Sequence, residues 1–365
     1  MITVHYDEKP IYDIYIEEDY SCLKKAFLTL GQTQQKKVCI VTETTVAPLY
    51  LEEVRKTAEQ CFHTVTDFIF PAGEAHKNLE TVQNLYEHLI LNHFERGDML
   101  IALGGGVTGD LAGYAAATYL RGISFIQMPT TLLSQVDSSI GGKTGVDFKA
   151  YKNMVGAFHQ PSLVYINLST LKTLTDKQYC EGMGEIIKHG LIKDVGYYRW
   201  LSGHMEAILQ RDLEVCKEMV AVSCNIKRKV VEQDPKEQGE RALLNFGHTL
   251  GHGIEKVSDF RLLHGECVAL GCVAASWISW KRALITKEQY LYIRETIQRA
   301  GLPAAIDGID KAAVMEAMKH DKKMEAGRVK FILLKQPGEA IIDRTVSSEE
   351  MEAALDVVLT GGLDG

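Results

Sequence analysis

The sequence lacks the features that mark membrane-spanning, exported and nucleic-acid-binding proteins. No apolar run reaches the roughly 18 residues that a transmembrane helix needs. The start, Met1 to Glu8, has neither the basic segment nor the apolar core of a secretory signal, so we expect no export. The formal charge of -8 argues against a nucleic-acid partner, because such proteins usually present a basic surface. A local basic pocket for an anionic small molecule stays compatible with that charge.

Paired cysteines are also missing. The eight cysteines are scattered along 365 residues and form no Cys-x-x-Cys pair, which is more typical of free thiols in the cytoplasm than of a disulfide framework. Internal repeats and low-complexity segments are absent as well. A hydrophobic content of 46% with 24% charged residues is typical of a globular protein, and the length is sufficient for two domains.

The first half of the chain contains alternating strand and helix patterns. Strands are predicted at 38–41, 64–70 and 99–103, and helices at 46–60 and 79–92. Strands separated by helices of these lengths predict a parallel α/β sheet, whose ligands collect at the carboxyl ends of the strands.

The strand pattern fades near residue 175. The following segments, as far as about residue 320, are predicted to be almost entirely helical, and a strand hairpin is predicted at 329–334 and 340–343. We therefore predict a Rossmann-like α/β domain over residues 1–175 and a mainly α-helical domain over residues 176–365.

The ends of the three predicted strands carry residues suited to a nucleotide. Glu43 follows the first strand, where a carboxylate can accept hydrogen bonds from ribose hydroxyls, and the second strand runs into Glu74 and Lys77. The third runs into Gly104-Gly-Gly-Val-Thr-Gly-Asp110, whose glycines would let the backbone approach a pyrophosphate at a helix start. The usual acidic residue about twenty positions later is missing. The sequence therefore predicts a nucleotide in a non-standard arrangement, with a purely structural glycine turn as the alternative.

A second glycine-rich stretch runs from Asp137 to Gly145. Its Gly-Gly-Lys-Thr resembles a phosphate loop, but the glycine that such a loop needs five positions before Gly142 is missing, so we exclude a nucleoside triphosphatase of that type. Lys143 among glycines and serines still predicts an anion-binding loop, because backbone N–H groups and an ammonium converge there.

The second half carries clustered polar residues that suit a metal. His248 and His252 are spaced to share one helical face, and His264 follows. Glu185 and Lys188 also share a helical face, for which a surface ion pair is the ordinary interpretation. For each histidine the ordinary interpretation is a core or surface side chain. If Glu185, His248 and His264 meet, however, one carboxylate and two imidazoles match a catalytic zinc site with open positions.

Several basic residues indicate an anionic substrate. We interpret them as contacts for phosphate and carboxylate groups; they are Arg121, Lys143, Lys152, Lys188, Lys227 and Arg241. Together with a nicotinamide nucleotide and a metal, they predict metal-assisted hydride transfer on a phosphorylated polyhydroxy acid. Composition and spacing do not separate a net oxidation from a reaction in which the hydride returns.

A set of motifs in order along the chain resembles the 3-dehydroquinate synthase family, within the sugar phosphate cyclase superfamily. The resemblance runs from about residue 38 to residue 345, and its motifs are Gly104 to Asp110, Pro129 to Leu133, Asp137 to Gly145, Lys152-Asn153, Glu185 to Lys188, Asn245 to His252 and Leu263 to Glu266. One departure is Asp147, where many members carry Asn.

The resemblance implies a dehydroquinate synthase-like fold and a phosphate-eliminating lyase reaction in the shikimate pathway. The substrate would be 3-deoxy-D-arabino-heptulosonate 7-phosphate, and the products 3-dehydroquinate and phosphate. The implied ligands of Zn²⁺ or Co²⁺ are Glu185, His248 and His264. The residues implied to bind NAD are Glu43, Glu74, Lys77, Gly105, Gly106, Val107, Thr108, Gly109, Asp110, Thr130, Thr131, Lys143, Lys152, Thr170, Leu171, Lys172 and Thr173.

The resemblance also implies a set of substrate contacts. They are Arg121, Asp137, Lys143, Asn153, Lys188, Lys227, Arg241, Asn245, His252 and one lysine of the pair Lys322 and Lys323, for which we take Lys322. His252 is expected to transfer protons with support from Glu237, and Lys143, Lys188, Arg241 and Asn245 to act beside them. We further expect a cytoplasmic homodimer without a nucleic-acid or membrane partner.

Two related activities and one unrelated one remain as alternatives. A polyol dehydrogenase of the glycerol or iron-dependent alcohol type would also use NAD and a metal, but it would release NADH. A sister cyclase such as 2-deoxy-scyllo-inosose synthase is a nearer alternative; the intact loops ending at Asp110 and Gly145 favour dehydroquinate synthase. A binding protein without catalysis is disfavoured by the full set of acid, base and anion-binding residues.

Overall fold

The structure is a computed structural model that describes residues 1–149, 151–237, 239–258, 261–319, 324–325 and 328–360. The chain groups into two compact units. The first comprises Met1–Leu174 with Cys216–Arg228, and the second Thr175–Val215 with Lys229–Gly365.

The segment Cys216–Arg228 was expected in the second domain but groups with the first unit. Its side chains bind the backbone there, since Cys224 Sγ lies 3.4 Å from the carbonyl oxygen of Gln135 and Lys227 Nζ donates to the carbonyl oxygen of Asp137 at 2.5 Å.

Nine strands belong to the described part of the first unit: β1 (Ile2–Tyr6), β2 (Lys9–Glu17), β3 (Lys37–Glu43), β4 (Thr64–Phe70), β5 (Met99–Gly104), β6 (Ser124–Pro129), β7 (Lys143–Phe148), β8 (Tyr151–Phe158) and β9 (Leu163–Asn167). Seven of them form one sheet in the order β1-β2-β9-β6-β5-β3-β4. β1 pairs with β2 in antiparallel fashion, and every other neighbouring pair in this sheet is parallel. The predicted parallel sheet is therefore confirmed, and β3, β4 and β5 are the three predicted strands.

Helices cover both faces of the sheet: α1 (Leu23–Leu28), α2 (Glu52–Glu59), α3 (Leu79–Leu91) and α4 (Gly106–Thr118). Successive strand residues point to opposite faces. Val38 and Ile40 therefore pack in the core that includes α1 and α2, whereas Cys39 and Val41 pack in the core that includes α3 and α4. Burial on both faces explains why β3 is continuously apolar from Val38 to Val41.

Two predicted segments differ from the structure. The helix expected at 46–60 begins with a π turn over Ala47–Leu51, where Pro48 has no N–H to donate, and α2 follows it. The predicted anion-binding loop continues into β7, which pairs with β8 in an antiparallel hairpin packed against α4.

The remaining helices, predominantly in the second unit, are α5 (Asp176–Lys193), α6 (Val195–Gly203), α7 (Met205–Leu209), α8 (Leu213–Gln233), α9 (His248–Val257), α10 (His264–Lys281), α11 (Lys287–Arg299), α12 (Lys311–Lys319) and α13 (Ser348–Thr360). Short hairpins join β10 (Met324–Glu325) to β11 (Arg328–Val329), and β12 (Phe331–Gln336) to β13 (Glu339–Asp343). α10 packs against α5, α9, α11 and α13, and it is apolar on all sides because it lies at the centre of this unit. Among the described helices, none is long and apolar enough to cross a membrane.

Candidate functional site

Two of the segments predicted to bind a nucleotide, those that follow β3 and β5, lie where the sheet reverses its strand order. In the sheet, β4 lies on one side of β3 and β5 lies on the other. The chain therefore changes direction across the sheet between β3 and β5, which is the switch point. Ligands of open parallel sheets bind at this point, beyond the carboxyl ends of the strands. Glu43 ends β3 and Gly104 ends β5.

The glycines at the end of β5 and in the first turns of α4 lie close to neighbouring side chains. A Cβ at Gly104 would lie 2.4 Å from Thr108 Oγ1, and one at Gly109 would lie 2.7 Å from Gln127 Oε1. Gly105 precedes the first turn of α4, whose free N–H groups suit an anion. Thr130 donates its backbone N–H to the carbonyl oxygen of Gly104 at 3.0 Å. The loop therefore offers backbone rather than side chains to a ligand.

Lys77 is buried among three carboxylates. Its Nζ lies 2.6 Å from Glu74 Oε1, 3.7 Å from Asp110 Oδ2 and 3.8 Å from Asp147 Oδ1. Burial lowers the pKa of Lys77, but these three carboxylates outweigh it and raise the pKa above its ordinary value. Burial also raises the pKa of Asp110 to about 7, against the opposing effect of Lys77. Asp147, the departure noted in the sequence, is thus one of the partners of Lys77.

The other residues predicted to bind NAD have separate contacts within the first unit. The Glu43 carboxylate accepts the backbone N–H groups of Thr45 at 2.6 Å and Val46 at 3.0 Å, so it shapes its own turn. Thr170 Oγ1 lies 3.0 Å from Gln135 Nε2, in the 3₁₀ helix Leu168–Thr173. Lys143 and Lys152 are exposed. Their roles in binding NAD stay predictions.

In the second unit, one carboxylate and two imidazoles converge. Oε1 of Glu185 lies 3.5 Å from Nε2 of His248 and 3.6 Å from Nε2 of His264. One ligand atom of each residue lies within 4.8 Å of the other two. Glu185 is only 1% exposed. These residues come from α5, α9 and α10 respectively.

Glycines beside these three residues allow the helices to approach one another. A Cβ at Gly265 would lie 1.9 Å from the carbonyl oxygen of Glu181, and one at Gly184 would lie 2.6 Å from the carbonyl oxygen of Gly265. A Cβ at Gly271 would lie 1.8 Å from the carbonyl oxygen of Gly247, which itself has a φ of +80°. The sequence therefore places a glycine next to each candidate ligand, and backbone contact between helices brings the ligands together.

The donor set fits a divalent metal ion. Donors held at about 2.0–2.1 Å from a tetrahedral zinc ion lie roughly 3.3–3.4 Å apart, close to both observed separations. One carboxylate and two imidazoles leave coordination positions for substrate. Burial lowers the pKa of His264, but hydrogen bonds to Glu185 and Glu255 outweigh it and raise the pKa to about 10. A cation is therefore strongly favoured here, either a proton or a metal ion.

Other predicted site residues of the second unit contact the candidate ligands or contact one another. Lys188 forms a buried ion pair with Glu185. The ring of His252 lies 5.1 Å from that of His248 and 6.0 Å from that of His264, between centroids. Asn245 Nδ2 donates to Glu237 Oε1 at 2.9 Å.

Of the other predicted substrate residues, the buried Arg241 donates to the carbonyl oxygen of Pro235 at 2.7 Å. In the first unit, Lys227 pairs with the carboxylate of Asp137, while Arg121 and Asn153 are exposed. Lys322 and Lys323 lie outside the described residues. The structure therefore brings together Glu185 with His248 and His264, Glu237 with Asn245, and Asp137 with Lys227.

Comparison with known proteins identifies the family. The sequence model for the 3-dehydroquinate synthase N-terminal part matches residues 67–181, and the one for the C-terminal part matches residues 182–324. A 3-dehydroquinate synthase from Acetivibrio thermocellus is 43% identical over 344 residues, which are 93% of this chain and 94% of the relative. The chain belongs to the 3-dehydroquinate synthase family. The predicted family is confirmed.

Solved structures of related cyclases share the fold of this 3-dehydroquinate synthase family member. A 2-deoxy-scyllo-inosose synthase in complex with carbaglucose-6-phosphate, NAD⁺ and Co²⁺ gives a TM-score of 0.88 at 22% identity and covers 98% of this chain and 100% of its own. The 2-epi-5-epi-valiolone synthase from Streptomyces hygroscopicus subsp. jinggangensis 5008, with NAD⁺ and Zn²⁺ bound, gives 0.86 at 27% identity and covers 95% and 96%. The predicted fold class, an α/β part followed by a mainly helical part, is confirmed.

Sequence reasoning missed two carboxylates beside the candidate ligands of this family member. Glu255 Oε2 lies 3.2 Å from Nδ1 of His264. Glu181 is the residue whose carbonyl oxygen faces Gly265, and burial raises the pKa of its side chain. The signal for Glu255 was present, because it follows His252 by three positions and His248 by seven, which places all three on one helical face.

Proposed function

We propose that this protein catalyses the 3-dehydroquinate synthase reaction, converting 3-deoxy-D-arabino-heptulosonate 7-phosphate to 3-dehydroquinate and phosphate. The observation that carries the proposal is the convergence of Glu185, His248 and His264 in a chain that is 43% identical to a 3-dehydroquinate synthase. A carboxylate and two imidazoles with open positions suit a metal that acts on vicinal hydroxyls.

The proposed cofactors are NAD⁺ and a divalent metal, Zn²⁺ or Co²⁺. Support comes from the related cyclases, one of which binds NAD⁺ with Zn²⁺ and the other NAD⁺ with Co²⁺. When bound, the metal would acidify a substrate hydroxyl and the nucleotide would accept a hydride. The glycine loop after β5 and the cluster around Lys77 are the parts of the chain that we assign to the nucleotide.

In the proposed reaction the hydride leaves one carbinol carbon and later returns to it. The intermediate ketone makes the adjacent C–H acidic, so phosphate can be eliminated; reduction, ring opening and an intramolecular aldol addition then give the carbocycle. NADH is consumed in the same turnover, so none accumulates.

The chain's own residues would bind the substrate and move protons. Lys188 and Arg241 are buried cations, suited to fixing carboxylate or phosphate oxygens. His252 is our candidate for proton transfer, since it lies beside the two candidate metal-binding histidines. Asn245 is held by Glu237, which we assign to the support of this step.

The reaction is tested by following three quantities with the purified protein and the heptulosonate phosphate. We expect phosphate release, formation of 3-dehydroquinate identified by nuclear magnetic resonance, and no net rise in NADH absorbance. Prior treatment with a chelator should stop release, and added Zn²⁺ or Co²⁺ should restore it. Stoichiometric NADH without phosphate release would instead support the polyol dehydrogenase alternative, and a different carbocyclic product would support another cyclase.

We also propose that the protein is a homodimer and that the β7–β8 hairpin lies in its interface. Four large apolar side chains of this hairpin are exposed, by 43% to 62%: Phe148, Tyr151, Met154 and Phe158. Large apolar side chains that are exposed on one hairpin suit burial against a second copy of the chain.

Sedimentation of the wild-type protein should therefore give twice the chain mass. The double variant Tyr151→Asp with Phe158→Asp should sediment as a monomer, whereas the control Leu28→Asp, at an exposed apolar position on α1, should stay dimeric. A monomeric wild-type protein would contradict the proposal.

A further inference from the structure

The imidazole of His264 lies between two carboxylates, one on each ring nitrogen. Its Nε2 lies 3.6 Å from Oε1 of Glu185, and its Nδ1 lies 3.2 Å from Oε2 of Glu255. The Glu255 side chain is only 15% exposed. This residue belongs neither to the metal ligands nor to the substrate contacts assigned above.

The two histidines facing Glu185 are held in the same way. Nδ1 of His248 lies 3.2 Å from the carbonyl oxygen of Phe246, as Nδ1 of His264 lies 3.2 Å from Glu255. An oxygen acceptor at Nδ1 selects the tautomer that carries the proton there, which leaves the lone pair of Nε2 available. Both Nε2 atoms face the same oxygen of Glu185. Outer acceptors of this kind orient metal-binding histidines and raise their basicity.

A second arrangement of the same residues must be distinguished from this one. One ligand atom each of His252, Glu255 and His264 also lies within 4.8 Å of the other two. An ion placed there would make Glu255 a direct ligand. The trio with Glu185 is more enclosed, because Glu185 and His248 are 1% and 12% exposed at their side chains. In the trio with Glu185, both histidines present Nε2 to the ion, because each Nδ1 lies at hydrogen-bond distance from an oxygen acceptor.

We propose that Glu255 is a positioning residue that accepts the Nδ1–H of His264, and thereby directs the Nε2 lone pair of that histidine toward a divalent metal ion shared with Glu185 and His248. The inference rests on the metal site of the proposed function. Its consequence is that metal affinity, and not only turnover, depends on a side chain that does not touch the metal.

The test measures Zn²⁺ dissociation constants by competition with a chromophoric chelator. Glu255→Ala should weaken Zn²⁺ binding by about 10–100-fold, the usual effect of losing an outer partner. Glu255→Gln should restore part of this loss, because its amide oxygen can accept the same hydrogen bond without the charge. Lys256→Ala is the matched control on an exposed position of the same helix, and it should bind Zn²⁺ as the wild type does.

Two further measurements distinguish a positioning role of Glu255 from an effect on folding and from direct binding of the metal ion. Circular dichroism and thermal unfolding of the metal-free Glu255 variants should match those of the wild type. Glu255→Ala saturated with Co²⁺ should keep the visible absorption bands of the wild-type complex, because its three ligands are unchanged.

Three other results would contradict the positioning role of Glu255. Wild-type affinity in Glu255→Ala would overturn the positioning role. Complete loss of Zn²⁺ in Glu255→Ala, together with its retention in Glu185→Ala, would place the ion among His252, Glu255 and His264 and would also overturn it. Absence of Zn²⁺ binding by the wild-type protein would instead refute the metal site of the proposed function, and the inference with it.

Discussion

Replacing His248 by alanine is expected to remove both Zn²⁺ binding and turnover, whereas replacing His252 is expected to slow turnover and leave Zn²⁺ binding intact. His248 presents Nε2 to Oε1 of Glu185 at 3.5 Å, so its loss removes one of three donors. We expect Zn²⁺ affinity to fall by more than the roughly 100-fold that an outer hydrogen-bond partner contributes. His252 is assigned to proton transfer, so His252→Ala should retain its metal and lose about 10²–10⁴ in turnover.

The two variants control for each other, since both remove an imidazole from the same helix one turn apart. Metal content after dialysis, measured by atomic absorption, and phosphate release together decide the assignment. A metal-free His252→Ala beside a metal-loaded His248→Ala would show that the two roles are exchanged.

The sequence sufficed for those parts of the fold that local patterns determine. β3, β4 and β5 were predicted because each is a short run with strand-forming residues that is followed by a helical pattern. β6 and β9 were not predicted as strands. β9 is followed by a 3₁₀ turn rather than a long helix, so the alternation that marked the earlier strands is absent there.

For the candidate site, the helical face shared by His248 and His252 could be read from their spacing, but the partners of His264 could not. Glu185 lies on another helix, so from the residues alone its meeting with the histidines was a supposition, which the family resemblance then implied. The contribution of Cys216–Arg228 to the first unit was also beyond local patterns, because it depends on contacts such as that of Lys227 with Asp137, far apart in the chain.

The sequence gives the positions of the glycines near the candidate ligands, but it does not show which helices approach each other at them. Gly184 and Gly265 stand beside Glu185 and His264 in the sequence, and in the structure they form a backbone contact between α5 and α10. The carbonyl oxygen of Glu181 fills the space that a side chain at position 265 would need. Because α5 carries Glu185 and α10 begins at His264, the separation of these two helices determines whether the two ligands can share an ion.

Gly265→Ala is therefore expected to destabilise the second unit and to remove its Zn²⁺ site. The added Cβ would lie 1.9 Å from the carbonyl oxygen of Glu181, a backbone atom that can move only if a helix moves. Overpacking of a core typically costs 1–3 kcal/mol, and we expect about 3 kcal/mol or more here because backbone must shift. All three tryptophans belong to the second unit, so urea unfolding followed by their fluorescence reports on it.

The control for this variant is Gly203→Ala, at the end of α6. A Cβ there meets nothing within 4 Å, so the change in unfolding free energy should stay within about 1 kcal/mol, and Zn²⁺ affinity should not change. Gly265→Ala should differ from it in both measurements. If Gly265→Ala unfolded at the wild-type urea concentration and kept wild-type Zn²⁺ affinity, the close approach of α5 and α10 would not be what brings Glu185 to His264.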